Sequence, residues 1–171
     1  ISRCCPARPK DWVRKPMSAR AVADIVEIQQ LLAAYVYAID AKDFDALDRV
    51  FTADATFDYT VTGGETGDYA KIKPWLAKAL APFPLTQHLI GLPLIRIDGD
   101  RASARTMLFN PMRLARPGGD HLFFVGATYV DDLVRTPEGW RITHRAEASP
   151  WMKDAPANLV PVTAEDEHHA A

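Results

Sequence analysis

Residues 86–112, TQHLIGLPLIRIDGDRASARTMLFNPM, read as one strand folded back on another. Thr86–Ile97 is an extended apolar run, and Asp98-Gly99-Asp100 is a tight-turn signal because glycine reaches the backbone conformation that short hairpins require. Arg101–Met112 then returns. The same grammar continues downstream. ARPGGD at 115–120 turns into a long strand, His121–Val134, and TPEG at 136–139 turns into Trp140–Glu147. Upstream the period changes. Ile25, Ile28, Leu32, Tyr35 and Ile39 recur at helical steps, with Val36 widening the stripe. A shorter helix is predicted from Phe44 to Val50, with Asp43 placed to cap it. Ala55, Phe57, Tyr59 and Val61 alternate as one face of a half-buried strand. After the turn TGGETG, a helix is predicted over Tyr69–Leu80, in which Pro74 marks a kink or the true start. N-terminal helices packed on a curved antiparallel sheet make the chain α+β, with a hollow where the sheet wraps the first helix.

Length and charge bound the function. The 171 residues suit one domain, and 48% apolar with 25% charged residues is a globular balance. Twenty basic against 22 acidic residues, net −2, leave no basic face for nucleic acid. No apolar run approaches the ~18 residues of a membrane span. Cys4 and Cys5 are adjacent and offer no disulfide framework, so a reducing compartment, the cytoplasm, is expected. Residues 1–17 carry five basic residues, Pro6, Pro9 and Pro16, and no apolar stretch; they read as a flexible arm and not a signal peptide. Residues 18–153 read as the domain, and residues 154–171 as a tail.

Candidate chemistry gathers at a few residues. Asp40 continues one edge of the first helix's apolar stripe, where a carboxylate at a helix C-terminus opposes the macrodipole and needs a partner. Tyr35 falls on the other edge, about 140° away at roughly 100° per residue. His88 heads an apolar strand, sharing a face with Ile90, Leu92 and Leu94. An imidazole exchanges protons near neutrality, and a carboxylate on one ring nitrogen raises basicity at the other. In the last strand, strict alternation places His144 with Trp140 and Ile142 on the face toward the hollow; Arg145 points in only if a bulge intervenes. His88, His121 and His144 lie on separate strands without ligand spacing, so no metal is expected. No Gly-rich phosphate loop or other cofactor motif is present, and no cofactor is expected.

The phrases FTADATFDY (51–59), TQHLIGLPLIRIDGDRASART (86–106) and ATYVDDLVRTPEGWRITHR (127–145), in that order, resemble the SnoaL-like branch of the NTF2-like superfamily. The resemblance spans roughly Val22 to Pro150 and implies a cone-shaped fold enclosing a pocket. One subgroup consists of Asp–His dyad lyases, including scytalone dehydratase, bile acid 7α-dehydratase and hexachlorocyclohexane dehydrochlorinase. On that pattern Asp40 and His88 are the dyad, Tyr35 is a polarising hydroxyl and Arg145 the last-strand arginine, favoured over His144. Where scytalone-type enzymes place a second pocket histidine, this chain has Asn110. The implied function is a cofactor-independent dehydratase acting on a small hydrophobic cyclic ligand. An isomerase or cyclase using the same base is an alternative, as is a non-catalytic binding module resembling the small subunit of ring-hydroxylating oxygenases. The uncovered sheet face, through Val125, Ala127 and Tyr129 or their neighbours of opposite parity, implies a homo-oligomer, trimer or dimer. Residues 149–161 are a candidate lid.

Overall fold

The computed structural model describes residues 17–156; the N-terminal arm and most of the tail lie outside them. Helix α1 (Ala19–Ala41) starts where the Ser18 side chain accepts the Ala21 N–H and buries Ile28, Leu32, Tyr35, Val36 and Ile39. By length and composition α1 could cross a membrane, contrary to the reading that no segment qualifies; its apolar stripe is spent against the sheet. Asp43 accepts the Ala46 N–H as expected, but the turn it caps is a single 3₁₀ turn, Ala46–Arg49. Strand β1 (Phe51–Asp58) begins before the expected Ala55 and ends before Val61, which is exposed. Strand β2 (Thr66–Asp68) leads into α2 (Tyr69–Leu80), whose first turn is capped by Asp68 and which carries Pro74 inside it.

The remaining strands are β3 (Leu85–Thr86), β4 (Leu89–Ile90), β5 (Leu94–Asp98), β6 (Arg101–Leu114), β7 (His121–Thr136) and β8 (Gly139–Lys153). They form a sheet in the order β2-β1-β8-β7-β6-β3, with β4 and β5 pairing further along β6. The sheet is mixed, because β1 runs parallel to β8 while the other pairs are antiparallel. The expected strand Thr86–Ile97 is three short pieces on one edge of β6. Pro93 has no N–H to donate to a ladder, and the His88 N–H is drawn to Asp40 at 2.7 Å instead of joining one.

Alternation in β6 is strict: Ala102, Ala104, Thr106, Leu108, Asn110 and Met112 are buried while their neighbours face out or lie at the margin. β8 breaks its alternation. Asp132 pairs with His144 and Leu133 with Ile142, so Thr143 is an extra residue on β8. Beyond this bulge Arg145, not His144, faces inward, which resolves the parity conflict as bulges do. A second shift lies between Ala148 and Trp151, where Ser149 has φ +50°. Ser149–Lys153 continues β8 alongside β7, so this stretch is wall and not a lid; Met152 lines the hollow.

Candidate active site

Helix α1 ends abruptly beside the sheet edge. Lys42 adopts φ +59°, its N–H bonding Ile39 O while the Asp43 N–H bonds Ala38 O, which turns the chain away just after Asp40. The Asp40 carboxylate accepts the His88 N–H at 2.7 Å and the Thr86 hydroxyl at 2.8 Å, and its Oδ1 lies 2.6 Å from His88 Nδ1. Lys42 Nζ donates to Thr86 Oγ1 at 3.2 Å, which orients the threonine hydrogen toward Asp40. Burial pushes the Asp40 carboxyl up, but the bonds and charge from His88 and the Thr86 hydroxyl outweigh it and hold the group below the ordinary aspartate range. Burial lowers the Lys42 ammonium, opposed by the charge of Asp40.

The proton on His88 can be placed from both sides. An ionised Asp40 can only accept, so Nδ1 carries the hydrogen. On the other side the Gln87 N–H donates to Asn110 Oδ1 at 3.0 Å, which fixes the amide with Nδ2 toward His88 Nε2 at 3.3 Å. An amide nitrogen only donates, so Nε2 presents its lone pair. The two constraints agree.

A second polar group lies along β7 and β8. Arg145 is fully buried and bonds Asp131 through Nε at 2.7 Å and Nη2 at 2.9 Å. Its guanidinium carbon sits 4.0 Å from the Tyr35 ring centre and 4.2 Å from that of Tyr129. Among the described residues Arg145 Nη1 and the Tyr59 hydroxyl are buried without a hydrogen-bond partner. Glu147 is bonded by the Thr62 hydroxyl, and burial raises its carboxyl above the ordinary glutamate range against the pull of Thr62 and Arg145. Burial also raises Tyr59 and Tyr129 well above the ordinary phenol.

Both groups border one open cavity of about 220 Å³. His88 and Asn110 lie on its wall, as do Tyr35, Tyr59, Tyr129 and Glu147; Leu76, Leu80, Phe83, Leu108, Met112 and Phe123 supply apolar surface. Among the described residues no group of three or more His, Cys, Asp or Glu could hold a metal ion.

A SnoaL-like domain matches residues 20–146. The chain belongs to the SnoaL-like family. The uncharacterized Mycobacterium tuberculosis protein Rv2910c is 49% identical over 142 residues, covering 82% of this chain and 95% of that protein. The crystal structure of Kfla4162 from Kribbella flavida superposes with a TM-score of 0.71 at 28% identity, covering 78% of this chain and 95% of that one. A hexachlorocyclohexane dehydrochlorinase, LinA type 2, shares the fold with a TM-score of 0.68 at 17% identity over 80% of this chain and 91% of its own.

Within this SnoaL-like cavity the structure brings Asp40 and His88 into contact and sets Tyr35 on the wall. Arg145 does not line the cavity; it lies behind Tyr35 and Tyr129. His144 faces the other side of the sheet, where Nδ1 lies 2.8 Å from Thr56 Oγ1. Sequence reading passed over Thr86, Lys42, Asp131 and Glu147. Glu147 had a signal, since it stands two residues after Arg145 and shares its face by alternation.

Proposed function

We propose that this SnoaL-like protein is a dehydratase-type lyase in which His88 removes a proton next to a carbonyl of a small cyclic ligand. The observation that carries the reading is the orientation of one ring: Nδ1 on Asp40, Nε2 lone pair at the cavity wall. Nε2 exchanges the long bond from Asn110 Nδ2 for the ligand's proton, Asp40 balances the imidazolium, and the C–H electron pair becomes the new double bond as the β-substituent departs. Tyr35 donates to the carbonyl oxygen as charge develops there. Arg145, stacked on the Tyr35 ring, is a positioning residue that supports this donor from behind. A cavity of roughly 150 Å³ holds a benzene ring; at about 220 Å³ this one takes a substituted single ring, with larger ligands extending through its open side. Copies of the chain meet through the outer face of the sheet, where Phe109 stacks on Phe124 and Trp151.

The test is turnover of a panel of cyclic β-hydroxyketones followed by mass spectrometry. Loss of water in the wild type, abolished in a His88→Ala variant that keeps the native circular dichroism spectrum, is the expected result. Full activity in that variant overturns the reading, and a rearranged product of unchanged mass replaces elimination by isomerisation.

A further inference from the structure

The dyad accounts for one half of an elimination. A base frees the electrons, but a hydroxyl departs poorly unless something protonates it, whereas chloride departs unaided. The far wall of the cavity carries a group of the right kind. Glu147 sits opposite Tyr129 in register, and Tyr129 sits opposite Thr106, four residues along β6 from Asn110, the neighbour of His88. Glu147 on β8 and His88, in the link between β3 and β4 on the far side of β6, therefore border the same hollow across β7 and β6.

The hydrogen-bond count around Glu147 favours a neutral carboxyl. Thr62 has one hydroxyl hydrogen, and two acceptors lie within its reach: the Tyr59 carbonyl at 2.9 Å and the Glu147 carboxyl. A protonated Glu147 supplies a second hydrogen, so that both contacts become bonds. The other groups whose charge bears on Glu147 are Arg145 from its own strand, Tyr129 on β7 and Tyr59 after β1. Of these only Arg145 is cationic, and it is already engaged bidentately by Asp131.

We propose that Glu147 is the proton donor to the leaving group, and that the leaving group is therefore a hydroxyl and not a halide. The inference rests on His88 as the base. His88 Nε2 takes the α-proton and the C–H pair forms the double bond. The C–O bond breaks, and its electron pair takes the Glu147 proton to leave as water. The products are an enone, an imidazolium and a carboxylate, and the carboxylate forms beside the positive charge of Arg145. Solvent entering the open side returns the proton from His88 to Glu147.

Two ketones that give the same enone separate the roles. 3-Hydroxycyclohexanone needs an acid and 3-chlorocyclohexanone does not, and both are followed as cyclohex-2-enone above the uncatalysed rate. Glu147→Gln should lose at least about 100-fold on the hydroxyketone, while the chloroketone remains within about 3-fold of wild type, below the range for losing an acid or base. His88→Ala should lose both. Equal losses on the two ketones in Glu147→Gln, or no loss on either, overturn the acid role; retention of both in His88→Ala overturns the dyad and not Glu147. A second measurement needs no turnover. Carboxyl ¹³C NMR, with the Glu147 signal assigned by its loss in Glu147→Gln, should show the group keeping its proton above the ordinary glutamate range near about 4.3. A Glu147 that ionises at or below the ordinary glutamate value overturns the proposal.

Discussion

The two polar ends of the cavity are built on opposite plans. At the α1 end every donor meets an acceptor: Lys42 to Thr86, Thr86 to Asp40, His88 to Asp40, Asn110 toward His88. At the tyrosine end, among the described residues, the Tyr59 hydroxyl and Arg145 Nη1 are buried without a partner. An unmet buried polar atom costs about 1–3 kcal/mol, which a fold tolerates where the missing partner arrives with a ligand; Tyr59 borders the cavity and can meet one, whereas Arg145 is sealed behind it. The wired end thus holds the His88 ring in one orientation. The unwired end leaves a phenol free to meet an oxygen atom from elsewhere.

The largest test of that contrast is His88→Ala, for which turnover should fall by about 100- to 10,000-fold in protein whose circular dichroism still shows the native fold. At the other end Arg145→Met leaves Asp131 charged, sealed and alone. Breaking such a pair should destabilise the protein by about 3–5 kcal/mol, read as a shifted denaturation midpoint; a shift below about 1 kcal/mol would mean that solvent reaches this pair.

The two ends should also respond to pH in opposite directions. Asp40 is held below its unfolded value, so its contribution is present above that value and lost as pH falls through the folded one. Asp40→Asn should flatten the acid limb of a stability–pH curve. Glu147 is raised, so its contribution is complete below the unfolded value and lost as pH rises through the folded one. Glu147→Gln should flatten the limb on the rising side. Parallel changes in the two variants would erase the distinction between the ends. The smallest effect is expected at Lys42, whose left-handed backbone favours glycine. Lys42→Gly should gain roughly 1 kcal/mol of backbone relief, offset in part by the lost bond to Thr86, while turnover falls severalfold.

Local rules in the sequence reached the helices and one end of the site. Ser18 and Asp68 cap where their residue types suggest, and the spacing of Ile28, Leu32, Tyr35 and Ile39 points one face inward. His88 meets Asp40, but on a backbone that alternation did not indicate. Its strand is interrupted because Asp40, 48 residues away, takes its N–H, and no local pattern encodes that. The parallel pairing of β1 with β8 was hidden for the same reason, since alternation within a strand says nothing of which neighbour it finds. The tyrosine end depends on the extra residue at Thr143, and WRITHR carries no mark of it.

That bulge limits how the chain can change. Thr143 and His144 both face outward where a regular strand has room for one residue, so deleting Thr143 would heal the bulge, leave His144 outward and keep Arg145 and Glu147 on the inner face. Deleting Ala146 has no such slack: it would make Arg145 and Glu147 neighbours and put them on opposite faces of the sheet. Within this strand, the bulge is where the loss of a single residue is absorbed.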